Sequence, residues 1–317
     1  MIEPRRDAYG PEADTSNLAD YLEVLALAGT PLRRAELADY LAEEHWVVRS
    51  RELFHDPQVD REEPAEDQQE GGAGPSPAEI AADNVFELLA TRASELGARY
   101  PFALGEHELV LRDPIEDGHR PYLCLLAITV AHHYGVETEA LPERVFEEVV
   151  ADVMDGRGLA TVDTGRAGRG RGDFRQLVRD VAEAVGLVAA PEAASSREHA
   201  NEEGVDTVSH LSWGDVRAGH WVFIGQATCA RSNEWESKIH EPRPPQWAAL
   251  LSCVIRPVPY LAVPHHVEDE HLLNLSANAA RLVLDRLRLA RHLNGLSIDQ
   301  AAILDAVIRQ DVYHPLR

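Results

Sequence analysis

The segment 205–228 constrains the fold more than any other part of the chain, because it has the pattern of a buried β-hairpin. Two runs rich in β-branched and aromatic residues, 205–213 and 221–228, flank a turn that begins at Gly214 and ends at Gly219. Short apolar runs bounded by glycine and aspartate predict two strands joined by a turn, and an apolar strand interior indicates a buried sheet. We therefore expect an α/β (α+β) fold built around this hairpin.

Polar residues stand out on this apolar background. Asp206, Gln226 and Thr228 lie on the predicted strands, and a buried carboxylate is costly unless it is paired, for which a divalent metal is a common partner. Lys238 follows shortly afterwards as the single lysine, since the other 29 of the 30 basic residues are arginine. A retained lysine can indicate a site that needs a compact ammonium able to give up a proton. The alternative is a chance survivor on a solvated helix face.

The order of three residues resembles the motif of the PD-(D/E)XK nucleases, the restriction-endonuclease-like superfamily: Asp206, Gln226 on the next strand, and Lys238. The resemblance covers residues 141–263. The resemblance implies a core sheet flanked by helices, Mg²⁺ (or Mn²⁺) held by Asp206 and the second motif position, and a lysine that positions or activates the attacking water. Gln226 replaces the usual carboxylate and Thr228 the usual lysine, which implies that Lys238 reaches back from the following helix. The short motifs GVD, GQAT and W-x-x-K resemble those of a subgroup of these nucleases that is found beside bacterial phage-defence genes.

A glutamate on the helix before the sheet is also implied by the resemblance. The apolar spacing over 144–154 predicts an amphipathic helix there. Glu147 is the best match to the residue that faces the metal, and Glu148 is the second choice. The alternative is that both are ordinary solvated residues near a helix N-terminus, where negative charge is favourable.

The segment 156–179 is the one basic stretch of a chain whose net charge is −24. Its glycines alternate with arginines, a composition that can follow a nucleic-acid backbone and present guanidinium groups to phosphates. The alternative is a merely flexible basic loop. Because a strongly acidic surface repels nucleic acid in general, DNA contact is predicted to be local, and the acidic surface can instead meet a partner protein. The candidate DNA-binding residues are Arg157, Arg166, Arg169 and Arg171.

Changes in composition divide the chain into five parts. We expect an N-terminal helical region at 1–55, an acidic disordered linker at 56–78, a helical connecting region at 79–140, the nuclease-like domain at 141–263 and C-terminal helices at 264–317. A long helix over 268–292 is predicted in the last part. The first two helices fit a packing module better than a helix-turn-helix DNA reader, because Glu36 and Asp39 would face the phosphates.

Other patterns narrow the class of protein. No apolar run reaches membrane-spanning length, and no apolar stretch follows the first arginines as in a signal peptide. The scattered Cys124, Cys229 and Cys253 lack zinc-site spacing and predict reduced, buried thiols in the cytoplasm. The histidine pairs 132–133 and 265–266 are interpreted as helix-end and loop residues without a metal.

Together these patterns predict a metal-dependent nuclease that cleaves phosphodiester bonds of DNA, in a bacterial defence or restriction system. The alternative is a catalytically inactive nuclease-fold subunit that docks DNA or a partner ATPase or helicase.

Overall fold

The computed structural model describes residues 1–6, 8–10, 13–44, 74–164, 174–190, 204–215 and 217–315. These residues form a mixed α/β fold in which helices cover a five-stranded sheet, with a separate two-stranded sheet. The α/β class is therefore confirmed. The described helices are α1 Asp14–Leu27, α2 Arg34–Glu43, α3 Pro77–Leu96, α4 Arg120–Tyr134, α5 Pro142–Gly156, α6 Phe174–Ala184, α7 Trp235–Lys238, α8 Pro244–Leu250, α9 Asp269–Ala279, α10 Arg286–His292 and α11 Ile298–Ile308.

The strands form two sheets. The described strands are β1 Phe102–Leu104, β2 Leu109–Leu111, β3 Ala160–Asp163, β4 Thr207–Leu211, β5 Trp221–Ala227, β6 Val258–Ala262 and β7 Leu282–Leu284. β1 and β2 pair as an antiparallel hairpin, and the large sheet has the order β3-β4-β5-β6-β7. β4 is antiparallel to both β3 and β5, whereas β5, β6 and β7 are parallel. The predicted central hairpin is confirmed with slightly shorter strands.

The two faces of the large sheet pack against different helices, because successive side chains of a strand point to opposite sides. Val208, Val222 and Ile224 contact the apolar sides of α6 and α8 on one face. On the other face, Tyr260 and Ala262 join a core shared with α1 and α3 to α5. The sheet is thus covered on both faces around the hairpin.

Gly225 in β5 is required by this packing. The Tyr260 ring lies directly over it, where any Cβ atom would overlap the ring, and the Tyr260 hydroxyl is hydrogen-bonded to Thr207 Oγ1. Absence of a side chain at Gly225 lets the tyrosine cross from β6 over β5 to β4. This contact fixes the register of the three central strands.

The predicted long helix over 268–292 is wrong. α9 ends at Ala279, and Ala280 adopts a left-handed conformation with φ of 52°. Residues 282–284 then form the edge strand β7, parallel to β6, and α10 starts after Asp285, whose side chain accepts a hydrogen bond from Arg288 N at 3.1 Å. Pairing with β6 satisfies backbone groups that a continuous helix would have satisfied internally. The C-terminal part of the chain therefore adds a strand to the large sheet.

The basic stretch 156–179 is not entirely a loop. Ala160–Asp163 forms β3, which pairs with β4, and α6 begins at Phe174. Residues 165–173 lie outside the described residues, as does the predicted linker 56–78 up to residue 73. Arg166, Arg169 and Arg171 thus receive no structural description.

The N-terminal helices pack into the same core as the sheet. Every residue of α1 from Ser16 to Ala26 is buried. Ile2 pairs with Val312 in a parallel bridge, which brings the first and last described segments together. Because α1 has no exposed side over this length, the packing interpretation of the first helices fits better than a DNA-reading helix pair.

Candidate functional site

Asp206 and Gln226 lie side by side on neighbouring strands. The backbone N–H of Asp206 donates to Gly225 O at 2.7 Å, and Asp206 Oδ2 accepts from Ala227 N at 2.7 Å. The two contacts flank Gln226, so the start of β4 is fixed against the carboxyl end of β5. Two of the predicted site residues are therefore brought together.

The Gln226 amide oxygen is buried without a partner. Gln226 is 8% exposed, its Oε1 accepts no hydrogen bond from the described residues, and its Nε2 reaches Ala227 O only at 3.5 Å. An unsatisfied buried acceptor costs about 1–3 kcal/mol. A hard cation satisfies such an oxygen, and Mg²⁺ prefers carboxylate, amide and water oxygens. The donors present at this end of β5 therefore fit Mg²⁺ or Mn²⁺.

Glu147 is half-buried on α5, close to the end of β5. Burial raises the pKa of the Cys229 thiol well above its usual value, and the nearby carboxylates of Glu143 and Glu147 raise it further. Burial also raises the pKa of Cys124, on α4, to about 12, with a further contribution from Glu148. Glu147 thus lies towards the segment that follows Gln226, whereas Glu148 lies towards α4. α5 packs on the sheet face of Ala227 and Tyr260, whereas strand alternation places the Gln226 side chain on the opposite face with Ile224. The structure therefore does not bring Glu147 or Glu148 to Gln226.

Lys238 is the last residue of α7 and pairs with Glu241. Its Nζ lies 2.9 Å from Glu241 Oε1, and the side chains are 30% and 36% exposed. The backbone of Glu241 packs against Gly204, where an added Cβ would lie 3.1 Å from the Glu241 carbonyl oxygen. Gly204 has φ of 65°, a conformation suited to glycine, and it precedes Asp206 by two residues. Lys238 is therefore near the segment that leads into Asp206.

Thr228 and Arg157 have other surroundings. Thr228 N donates to Ala262 O at 3.0 Å, and its Oγ1 accepts from Ala230 N at 3.1 Å, so Thr228 shapes the turn after β5. Arg157 is exposed after α5, with Nη1 3.4 Å from His292 Nε2. Within the described ranges, no three histidine, cysteine, aspartate or glutamate side chains converge on one metal position.

A cluster that the sequence did not reveal lies at the carboxyl end of β7. Asp20 and Glu23 of α1 meet Arg92 of α3 and Arg286 of α10, and all four side chains are at most 1% exposed. We call these four residues the charge tetrad. Arg286 donates to both Asp20 oxygens at 2.7 and 2.6 Å, and Arg92 lies 2.7 Å from Asp20 and 2.9 Å from Glu23.

Hydrogen bonds from neutral groups complete the charge tetrad. Tyr100 and Tyr122 donate their hydroxyls to Glu23 Oε1 at 2.6 and 2.7 Å. Burial alone would raise the pKa of Asp20, but Arg286 and Arg92 hold it well below its usual range. The tetrad is therefore charged, neutral overall and sealed from solvent. Its four side chains link α1, α3 and α10, and removal of one of them would leave an uncompensated buried charge.

Two histidines form a second contact, in which His265 is buried and His133 is half-buried. His133 Nε2 lies 3.2 Å from His265 Nε2, and the Tyr9 ring packs 4.8 and 4.9 Å from the two imidazole rings. Burial lowers the pKa of His133 to about 3 and that of His265 well below its usual value. Both rings are neutral, so one donates and the other accepts. The pair 265–266 lies in the loop after β6, as expected, but it is buried.

Comparison with known proteins yields no relative. No protein-family model, curated protein or solved structure matches the chain. In the part of the chain that the structure describes, no helix is both long enough and apolar enough to cross a membrane. A functional assignment therefore depends on the site geometry and on the sequence motif.

Proposed function

We propose that this chain is a metal-dependent nuclease that hydrolyses phosphodiester bonds of DNA. The observation that carries the proposal is the buried, unpartnered amide oxygen of Gln226 at the carboxyl end of β5, next to Ala227, whose N–H holds Asp206 Oδ2. A buried acceptor beside a carboxylate is the arrangement that a divalent cation satisfies. The same two positions hold the metal in the PD-(D/E)XK nucleases that the motif resembles.

Asp206 and Gln226 would hold Mg²⁺ or Mn²⁺ in this proposal, and Glu147 is the third ligand that the resemblance implies. When bound, the metal supplies Lewis-acid activation of the phosphate and a water of lowered pKa. The Ala227 N–H holds Asp206 Oδ2 in place at 2.7 Å, so the carboxylate is oriented in advance. Because Gln226 is neutral, the site carries one negative charge fewer than a site with two strand carboxylates. We therefore expect weak metal affinity that bound DNA phosphate increases.

Lys238 would position the attacking water with its ammonium group, or take up the proton of the water after first losing its own. Its Nζ is held by Glu241 at 2.9 Å in a half-exposed ion pair. Such pairs contribute about 1 kcal/mol or less, so a phosphate or water can displace the carboxylate at small cost. In this role Glu241 holds the Lys238 side chain near the segment that leads into Asp206 until substrate arrives.

The topology supports the finer assignment to a restriction-endonuclease-like core. α5 precedes the large sheet, β4 is antiparallel to its neighbours β3 and β5, and β6 adds to β5 in parallel. We further propose that the glycine-rich basic stretch grips the flanking DNA backbone, and that the protein acts in the cytoplasm of a bacterium with a defence or restriction system. The proposed phosphate contacts are Arg157, Arg166, Arg169 and Arg171.

Replacement of Asp206 tests the proposal directly. Purified protein should cleave plasmid or single-stranded DNA in Mg²⁺ or Mn²⁺, and Asp206→Ala should lose at least about 100-fold in rate because the metal ligand is gone. Asp83→Ala is the matched control, since Asp83 is exposed and pairs only on the surface with Arg34. Thermal melting checks that both variants fold. Cleavage by Asp206→Ala at the wild-type rate would refute the assignment of the site.

A second candidate function is a catalytically inactive subunit of the same fold that docks DNA or a partner ATPase or helicase. The replacement of the motif residues by Gln226 and Thr228 favours it, as does the engagement of Lys238 Nζ by Glu241. Wild-type protein that binds DNA but shows no cleavage in Mg²⁺ or Mn²⁺ would select this candidate.

A further inference from the structure

Two exposed tryptophans lie side by side at the tip of the β4–β5 hairpin. Trp213 is 60% exposed and Trp221 is 49% exposed, with ring centroids 6.1 Å apart and planes inclined by 61°. Leu211 pairs with Trp221, so Trp213, two residues later, is on the same side of the hairpin. The other described tryptophans, Trp235 and Trp247, are buried. Exposed indole rings are thus concentrated at one place.

Apolar and basic residues surround the two rings. Ile255, 40% exposed, lies against the hairpin turn, since a Cβ on Gly219 would be 4.0 Å from its Cδ1. Arg256 follows it and is exposed, as is Arg217 in the turn. The Asp215 carboxylate accepts a hydrogen bond from Arg217 N at 2.9 Å. The tip therefore combines aromatic faces with a small excess of positive charge in a chain whose net charge is −24.

The size of this surface indicates its occupant. Taking roughly 250 Å² for a whole tryptophan side chain, the two exposed fractions leave about 270 Å² of indole surface. A stable protein interface buries about 800 Å² on each partner, about three times as much. Nucleobases stack on single aromatic rings, and nearby arginines can pair with the phosphates between them. The two indole rings alone thus cover about a third of such an interface, an area suited to one or two unpaired bases.

We propose that the hairpin tip binds single-stranded DNA by stacking bases on Trp213 and Trp221, with Arg217 and Arg256 against the backbone. The inference rests on the proposed nuclease function and specifies its substrate as DNA with an unpaired segment. Gln226 lies five positions after Trp221 in β5, about 17 Å at 3.3 Å per residue, and the odd offset places the two side chains on opposite faces of the strand. A DNA strand stacked at about 3.4 Å per nucleotide therefore needs at least about five nucleotides to reach both.

DNA binding measured in the absence of metal tests this inference independently of cleavage. Fluorescence anisotropy of a labelled 20-nucleotide oligo-dT in EDTA should show at least about fivefold weaker binding for Trp213→Ala or Trp221→Ala. Trp221→Phe should retain most of the affinity, because phenylalanine also stacks. Leu273→Ala, which removes an equally exposed apolar side chain on α9, is the matched control and should bind as the wild type does.

Asp206→Ala should bind the oligonucleotide normally, so a failure of cleavage and a failure of stacking give different results. Substrates with fewer than about five nucleotides beyond the cleaved bond should lose their dependence on the tryptophans, since they cannot reach the tip. Wild-type affinity in the double variant Trp213→Ala, Trp221→Ala would overturn the inference. So would equal losses on duplex DNA of the same length, or tighter binding of oligo-U than of oligo-dT.

Discussion

Asp20→Asn removes one negative charge from the charge tetrad while nearly conserving side-chain volume. Asp20 accepts hydrogen bonds from Arg286 at 2.6 and 2.7 Å and from Arg92 at 2.7 Å. An asparagine keeps one acceptor but turns an NH₂ group towards a guanidinium. The four buried groups then carry a net charge of +1 that no described neighbour in the tetrad compensates. The perturbation therefore tests whether balanced charge, rather than shape, stabilises this junction of helices.

Breaking a buried ion pair from one side costs about 3–5 kcal/mol. For 317 residues, an unfolding entropy of about 2.1 cal/mol/K per residue gives roughly 0.67 kcal/mol/K at the melting temperature. One kcal/mol then corresponds to about 1.5 °C, so the expected decrease in Tm is about 5–8 °C. Asp83→Asn, at an exposed aspartate 3.2 Å from Arg34, should change Tm by about 1.5 °C or less.

Circular dichroism melting of the wild type and the two Asp→Asn variants provides the measurement, with urea unfolding at 25 °C as the independent check. A double variant Asp20→Asn, Arg286→Gln restores neutrality and should be more stable than the sum of the single losses predicts. If Asp20→Asn and Asp83→Asn melted within about 1.5 °C of each other, the argument from buried charge would be refuted.

Three further substitutions test other contacts. Gly225→Ala should lower the free energy of unfolding in urea by about 1–3 kcal/mol, because its Cβ overlaps the Tyr260 ring, whereas Gly74→Ala, in open space, should not. The wild type should lose stability as pH falls from about 6.5 towards 3, because the unfolded chain binds a proton that half-buried His133 does not. His133→Gln should reduce the slope of the unfolding free energy against pH by up to about 1.4 kcal/mol per pH unit. An unchanged slope would show that His133 does not cause this pH dependence. Lys238→Arg should melt like the wild type yet cleave about 10²–10⁴-fold more slowly, and normal cleavage would favour the inactive-subunit function.

The elements that the sequence predicted correctly have local signals. The central hairpin alternates apolar runs with a turn bounded by glycines, and the start of α3 carries a complete capping box. Ser76 Oγ accepts from Glu79 N at 3.2 Å, and the Glu79 carboxylate accepts from Ser76 N at 2.6 Å. Because a hairpin pairs residues close in sequence, the meeting of Asp206 with Gln226 was also predictable.

The strands β3 and β7 could not be predicted, because they depend on partners elsewhere in the chain. Residues 282–284 continue the leucine spacing of the helices around them, and only pairing with β6 makes them a strand. β3 is short and follows Gly158 in a basic, glycine-rich stretch whose composition predicts a loop. In both, tertiary pairing overrode the local preference.

Parts of the candidate site could likewise not be predicted from the sequence. Glu147 and Glu148 are consecutive on a helix, about 100° apart around its axis, so only packing could decide which faces β5. For the charge tetrad a weak signal existed, since Asp20 and Glu23 are three residues apart inside an otherwise apolar helix. Their arginine partners lie too far along the chain for any pattern to identify them.

The charge tetrad also affects when the chain can finish folding during its synthesis. Arg92 follows Asp20 by 72 residues, but Arg286 follows it by 266. At about 5–20 residues per second, roughly 13–53 s pass between translation of Asp20 and of Arg286. Until Arg286 is made, α1 has two carboxylates and at most one available arginine, so burying it would leave an uncompensated charge. The helices that carry Asp20 and Arg92 should therefore stay hydrated until Arg286 has been made, and that interval exposes their apolar sides to chaperones.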